Sequence, residues 1–548
     1  MARVIVVDAL AREHGKRMVT VDVIGVGPRA VAGLIEKLGV RASLYPLEAV
    51  LEEPSILAEY DAMFVSAMSS DKPAAQRLAK LWKRFSNGPS VIGGPVSIEI
   101  GEALRLGYDY AVIGEAEVVL PNALKPMLKR DNDVLLHIKG VAFTRKGRIV
   151  FTGKPPYASR ETLNYIHYTD IRNYDAYWAA RVYVEVVRGC SNWRRPRGRL
   201  PDGRVCIHCE ICTSAPLRAR IKCPVSIQPG CGYCSVPVLY GPARSREVDT
   251  IVEEVKRLID LGVTRVVLSA PDFLDYKRDV LVEPEPLTDP CNPPANINAI
   301  RELLEALFDK IPEFAMREAY LMIENVKACL VDERVAKVLG EYLRGTPVHI
   351  GVETGSDNHM WMLGRPITTT DAKRAVSLLR SAGLEPYVYF IYGLPWENSK
   401  VVHETIMLME ELWKLGATKV TAYRFRPLPG TAFQDYEPPV PGSESYAILA
   451  KARELNRAEK GRWLGRVVRG IVAGWHPAKK MLVVYPLPHG PVTLVRGPRG
   501  LIGWLVKVEI TGVISDRMLK GRIVSRIRRV ARRSDGGLRV RSGASLSR

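Results

Sequence analysis

Residues 182–190, VYVEVVRGC, and residues 230–258, GCGYCSVPVLYGPARSREVDTIVEEVKRL, decide how this chain is read. The first is an apolar, β-branched run that ends on a glycine and a cysteine. The second opens on a Cys-x2-Cys pair and leads into EVDTIVEEVKRL, whose apolar residues recur at helical spacing. A strand, a cysteine loop and an amphipathic helix in that order open an α/β unit. Seven of the nine cysteines lie between Cys190 and Cys234, in spacings that suit metal clusters and not disulfides.

Strand–helix alternation continues over residues 181–435. Candidate strands are 182–187, RVVLSA (265–270), YLMIEN (320–325), VHIGVE (348–353), YVYFIY (387–392) and KVTAYRF (419–425). Six such units predict an open or closed (β/α)6 barrel, with its chemistry at the C-terminal strand ends. The Pro- and Asp-rich stretch 273–299 predicts a loop. Upstream, residues 1–125 alternate short apolar runs (VIVVDAL, RASLYPL, DAMFVSA, PSVIGGP) with helical patterns such as AAQRLAKLWKRFSN. That is the pattern of a doubly wound parallel sheet, whose ligands bind beyond the strands' carboxyl ends. Gly93-Gly94 and Gly114-Glu115 follow two of these strands, where glycine serves a close approach or a turn. Residues 126–180 read as a connector with a small hairpin, VAFTRKGRIVF, and 436–460 as a helical linker. Over 461–514 short β-like runs (RVVRGIVAG, MLVVYPL, PVTLVRG, GWLVKVEITGV) alternate with Gly and Pro, predicting a small antiparallel β-barrel in a domain of residues 461–530. Residues 531–548 read as a basic, flexible tail. The fold class is α/β, with a smaller C-terminal barrel.

At 548 residues the chain is too long for one core, and about three domains are expected. It is 47% hydrophobic and 25% charged. No apolar run reaches the roughly 18 residues that span a bilayer. The start, MARVIVVDALAREHGK, carries charge where a signal peptide needs its apolar stretch. A cytoplasmic protein is expected, where clustered cysteines favour metals over disulfides. Of the net +20, residues 461–548 carry 19 Lys/Arg against 3 Asp/Glu, or +16. So concentrated a charge points to a polyanion, RNA above all, or else to a solvated tail.

The cysteines fall into two sets. Cys190 ends the first barrel strand, and Cys231 and Cys234 lie in GCGYC. Between them, Cys206-x2-Cys209-x2-Cys212-x10-Cys223 supplies four more ligands in a loop of forty residues. A loop that long has no core of its own, and a metal would staple it. Successive x2 spacing suits a second iron–sulfur cluster, with structural zinc as the alternative. His208 is a further candidate ligand, or a plain loop residue.

With these residues in view, GCGYCSVPVLYGPARSREVDTIVEEVKRL resembles the cluster loop of radical S-adenosylmethionine enzymes, in which three cysteines bind a [4Fe–4S] cluster and an aromatic residue precedes the last. Tyr233 fits that aromatic position. This chain departs from the pattern by placing forty residues after the first cysteine. The resemblance implies Cys190, Cys231 and Cys234 as ligands, or alternatively Cys223, Cys231 and Cys234. IGVETGSDNHMWMLGRPIT (350–368), YFIYGLPWEN (389–398) and RPLPGTAF (426–433) are similar to further family segments. They imply contacts to S-adenosylmethionine from Glu353 and Gly393, with Trp396 standing where the family has glycine. VVLSAPDFLDY (266–276) replaces the family's GGEP, so Ser269 or Asp272 would meet the cofactor's amino group. The family also implies an electron donor of ferredoxin or flavodoxin type.

VIGGPVS…YDYAVIGEAEVVLP resembles cobalamin-binding domains fused ahead of such barrels, implying Ser66, Gly93, Gly94, Gly114 and Glu115 as contacts. The DxHxxG ligand motif is absent, and a bare sheet is the alternative. The basic barrel resembles a TRAM domain, with Trp463, Trp475, Tyr485 and Trp504 as stacking surfaces or as core. Together these imply cobalamin-dependent radical methylation of tRNA or rRNA. The alternatives are tRNA methylthiolation without cobalamin, and a non-catalytic nucleic-acid binder with a structural metal loop.

Overall fold

Strand Arg3–Asp8 is buried along almost its whole length, as expected of a parallel strand covered on both faces. It sits inside a seven-stranded sheet in the order Arg41–Pro46, Arg3–Asp8, Ala62–Ser66, Ser90–Gly93, Tyr110–Val112, Val141–Arg145, Arg148–Phe151. The first five are parallel. The order reverses between Arg3–Asp8 and Ala62–Ser66, the kind of position at which such sheets hold ligands. The hairpin expected inside a connector instead pairs antiparallel with the sheet's edge at Tyr110–Val112. The computed structural model describes residues 2–15, 17 and 22–530. The basic tail read over 531–548 lies outside the described residues.

The chain divides into two units. One takes residues up to Val184 together with Arg246–Leu261; the other takes Glu185–Ser245 and continues from Gly262. Helix Val248–Leu261 was expected within the barrel, yet it joins the first unit. The reason is Glu254, a fully buried carboxylate within the helix. It pairs with Arg29 at 2.7 Å and Arg246 at 2.9 Å and accepts the His167 N–H at 3.1 Å.

In the second unit, Arg265–Ser269 pairs parallel with Tyr320–Ile323, and Asn325–Val326, Pro347–Glu353, Glu385–Tyr392 and Lys419–Arg424 form a parallel run. Glu385–Tyr392 alternates buried and half-buried residues, one face against helices and the other toward the barrel interior. Thr368 and Asp371 form a capping box that starts helix Thr369–Ser381, and Asn398 caps Ser399–Lys414. The expected strands thus appear within a few residues of their read positions. Helix Tyr446–Gly461 precedes a closed five-stranded barrel of Val467–His476, Met481–Pro486, Val492–Val495, Trp504–Val513 and Met518–Arg529. No helix among the described residues is long and apolar enough to cross a membrane.

Candidate functional site

The loop that carries Cys190 is clamped by its own backbone. Val187–Arg188 pairs antiparallel with Arg244–Ser245, and the Cys190 N–H donates to Gly241 O at 3.1 Å. Gly189 takes φ 83°, and a Cβ there would stand 2.7 Å from Gly241 O, so the RGC turn needs glycine. These pairings join the two sides of the forty-residue loop.

Three cysteines gather at that junction. Asn192 donates its N–H to Cys190 Sγ at 3.4 Å and its Nδ2–H to Cys231 Sγ at 3.3 Å. The Cys234 N–H donates to Cys231 O at 2.8 Å. Gly232 is held between Leu363 and Phe433 by backbone hydrogen bonds of 3.0 and 2.9 Å. Phe433 belongs to RPLPGTAF, so two separately read segments meet here. Burial pushes the Cys190 thiol up to about 11, with Lys327 opposing; burial and the neighbouring Cys231 and Cys190 push Cys234 up to about 12. Such thiols ionise when a metal takes the proton's place. Three thiols brought together can hold a cluster, in which different irons take different cysteines.

Arg365 lies across this site. It reaches Cys231 Sγ at 3.7 Å and Glu353 at 3.7 Å, and donates to Gly351 O. A Cβ on Gly351 would sit 2.8 Å from Arg365 Nη2. Glu353 stands at a bulge in its strand with φ 74°, a strained conformation that functional sites often hold. Burial raises its pKa, opposed by Arg365. Burial, and then Cys231 and Glu353 beside it, hold the Tyr233 hydroxyl well above its ordinary pKa. Donors aimed at sulfur, a buried hydroxyl and a carboxylate together fit a thiolate-held cluster with a polar cofactor beside it. Arg365 and Asn192 were not among the residues singled out from sequence; the Gly364-Arg365-Pro366 step within 350–368 was the available signal for the first.

Ser269 donates to Glu324 at 2.8 Å, and the two stand at the carboxyl ends of neighbouring strands. Asp272 is engaged elsewhere. Its carboxylate accepts from the N–H groups of Leu274 and Lys327 and from Lys327 Nζ at 2.6 Å. Lys327 also reaches Asp275 at 2.8 Å and Ser191 Oγ at 2.7 Å, and Arg278 pairs with Asp275. This buried network fixes Ser191, and with it the turn beside Cys190. Gly393, at φ 75°, donates its N–H to Glu397 at 3.0 Å.

The remaining sheet residues lie in the first unit. Ser66 and Gly93 face each other at the carboxyl ends of adjacent strands. Gly94 packs on Ala67, its absent Cβ 2.8 Å from Ala67 O, and Gly114 packs on Pro155. Glu115 accepts the Ala158 N–H at 2.6 Å. Three of the five are therefore engaged by the chain's own atoms, which leaves the Ser66–Gly93 edge for a ligand in the crevice.

Cys206, Cys209, Cys212 and Cys223 line one small pocket that opens to solvent. Cys223 thus stands with the insertion's thiols, while Cys190 stands with Cys231 and Cys234. All seven are free, and Cys291 is bonded to Cys329. This disulfide lies outside the cysteine group, between the 273–299 excursion and the residue two after Lys327.

On the small barrel, every aromatic singled out from sequence is half-buried with an arginine over its ring. Arg466 lies over Trp463, Arg499 over Trp475 and Arg526 over Trp504, at 4.7–5.7 Å, whereas Tyr485 packs on Arg265, which is buried in strand Arg265–Ser269 outside the small barrel. The end of strand Met518–Arg529 exposes Arg526, Arg528 and Arg529.

Comparison with known proteins follows the same lines. The family model of the radical SAM superfamily matches residues 223–409. The "Uncharacterized protein MK0932" of Methanopyrus kandleri is 42% identical over 95% of this chain and 96% of its own length. The "Uncharacterized protein MJ1620" of Methanocaldococcus jannaschii is 36% identical over 95% and 98%. The threonylcarbamoyladenosine tRNA methylthiotransferase MtaB of Thermotoga maritima is 25% identical over 49% of this chain and 58% of its own. Among solved structures, the radical S-adenosylmethionine methyltransferase TsrM of Kitasatospora setae, with cobalamin and a [4Fe–4S] cluster bound, shares the fold at TM-score 0.58 and 15% identity, over 79% of this chain and 77% of that one. The cobalamin-dependent radical enzyme OxsB does so at TM-score 0.53 and 12% identity, over 75% and 52%. The family model over residues 223–409 agrees with parallel strands that carry three gathered cysteines: the chain belongs to the radical S-adenosylmethionine superfamily.

Proposed function

We propose that this chain is a cobalamin-dependent radical methyltransferase acting on RNA. The observation that carries the reading is the fold shared with TsrM, which spans far more of the chain than the family model matches. RNA is favoured by the arginine–aromatic pairs of the basic barrel, since stacking and phosphate contacts together suit single strands. It is also favoured by the tRNA named for MtaB.

In this reading Cys190, Cys231 and Cys234 hold the [4Fe–4S] cluster. When bound, the cluster and S-adenosylmethionine supply one-electron cleavage of the sulfonium to a 5′-deoxyadenosyl radical, and cobalamin supplies a methyl group. The chain's own residues prepare the place. Asn192 and Arg365 turn hydrogens toward Cys231 and offset its negative charge. The Lys327–Asp275–Ser191 network holds the Cys190 turn still. Glu353, and Ser269 with Glu324, offer carboxylate and hydroxyl oxygens to an ammonium group at the strand ends, while Gly393 stands at a third, packed on Pro439. Tyr233 adds a hydroxyl beside Cys231. Ser66 and Gly93 line the crevice for cobalamin. Electrons come from a ferredoxin or flavodoxin type donor. The insertion's four thiols complete the reading as a second metal site, iron–sulfur or zinc.

A second reading, methylthiolation of tRNA, is favoured by MtaB. Corrinoid analysis of the purified protein separates the two. The leading reading is tested by mass spectrometry of RNA from wild-type and deletion strains. A methyl group present only in the wild type is expected; identical RNA in both would overturn it.

A further inference from the structure

The insertion 191–230 has almost no regular structure: one helical turn at Ile211–Ser214 and one at Ala219–Ile221. Its order comes from anchors at the rim. Arg195 is buried and donates to four carbonyls, of Trp193, Arg220, Ile221 and Ile227, at 2.9–3.1 Å. Arg197 grips Glu210 through two hydrogen bonds of 2.8 and 3.2 Å and lies 4.4 Å over the ring of Trp361. Trp396 takes the family glycine's left-handed conformation, φ 65°, and lays its ring against Gly198, where a Cβ would come within 2.5 Å. A tryptophan in that conformation is strained, and its packing on the insertion offsets the cost.

What these anchors surround is the cavity lined by four thiols. Between Cys206, Cys209 and Cys212 the chain reverses twice, at His208 (φ 50°) and Glu210 (φ 54°). Two non-glycine residues in the left-handed region within three positions wind the backbone tightly around the cavity. Cys223 closes the ring from the far side, and Cys206 and Cys223 pack on Leu200, Ile227 and Phe433. His208 stacks on Trp361 at 5.8 Å and 16° between planes, which gives its ring a role other than ligation. Arg197 and Lys222 line the same cavity and supply positive charge.

We propose that Cys206, Cys209, Cys212 and Cys223 hold a second [4Fe–4S] cluster, separate from the one at Cys190, Cys231 and Cys234. Each thiol gives its proton to solvent as its sulfur bonds one iron, and the cationic rim offsets the anionic cluster. A polynuclear cluster is favoured over zinc by the spacing: Cys206, Cys209 and Cys212 follow one another at x2 intervals, as in a ferredoxin-type run and unlike the two separated pairs of a zinc finger. The insertion is thereby a metal-folded cap on the loop that divides the family motif.

The test uses the full chain, purified and reconstituted with iron and sulfide without oxygen. Wild type should carry about eight iron and eight sulfide per chain, two clusters of four. The variant Cys190→Ala/Cys231→Ala/Cys234→Ala should keep about four of each, with a [4Fe–4S] Mössbauer signature. Loss of all iron from that folded variant, or zinc in place of the second cluster, would overturn the proposal. If the variant does not fold, wild-type stoichiometry decides: about four iron per chain rejects a second cluster. Failure of the radical reading has a different sign, absence of 5′-deoxyadenosine from wild type whatever its iron content.

Discussion

Asn192 donates its side-chain N–H to the sulfur of Cys231 at 3.3 Å, across 39 positions of sequence. One residue beyond Ser191 thus reaches over the insertion to the other half of the motif, while its backbone N–H serves Cys190. This amide side chain bridges the two halves of the divided motif, alongside the backbone pairing of Val187–Arg188 with Arg244–Ser245. Partners of metal ligands set the ligands' orientation and charge.

Asn192→Ala should therefore lower iron retention at the three-cysteine site about 10–100-fold, the usual cost of losing such a partner. Iron release to a chelator, measured against wild type, checks this. Unchanged release would mean that the hydrogen bond has no bearing on the cluster.

Lys327 is a buried ammonium between two buried carboxylates, Asp272 and Asp275. Lys327→Met should cost about 3–5 kcal/mol of stability, because the carboxylates lose their partner and stay buried. Denaturant unfolding of the apo protein reads this directly. Cluster loading should fall with it, since Ser191 loses a donor beside Cys190.

In the first unit, burial works to raise the Glu254 carboxyl, but His167, Arg246 and Arg29 outweigh it and hold it at about 2, below its ordinary 4.5. A carboxylate with a depressed pKa stabilises the fold above its unfolded value and loses that contribution as pH falls. The loss should run from about pH 4.5 down to about pH 2. Glu254→Gln should cost about 3–5 kcal/mol near neutrality and flatten that acid slope. Unfolding midpoints across the range check both effects.

Much of the fold was legible because strand and helix periods were clean. The strands of the second unit's parallel run and the helices between them contrast strongly with their flanks. Strand Met518–Arg529, which closes the small barrel, escaped a strand reading because its second half is exposed and carries arginine where a buried strand carries valine. The destination of helix Val248–Leu261 was hidden for another reason: its pattern announces a buried face, but only Arg29, over two hundred residues away, says against what. The cysteines could be sorted by spacing, yet the choice between Cys190 and Cys223 needed the geometry of the cavity. The supporting residues Asn192, Lys327 and Arg365 are ordinary polar residues until the chain folds. The pairing of Cys291 with Cys329 has no local signal at all.

Arg526 covers Trp504 on an exposed basic strand end. If RNA phosphates meet this face, affinity should fall steeply with salt, and Arg526→Ala should reduce the log–log salt slope by about one. Titration of labelled tRNA at several salt concentrations checks it. A salt-independent affinity would exclude phosphate contacts.

The most direct test of radical chemistry at the three-cysteine site is 5′-deoxyadenosine formation. Reconstituted protein is incubated without oxygen with dithionite and S-adenosylmethionine, and the nucleoside is quantified. Wild type should form it, and Cys190→Ala should form none. Formation by Cys190→Ala at the wild-type rate would contradict the assignment of Cys190 to the catalytic cluster, and with it the rejoined motif on which the site is built.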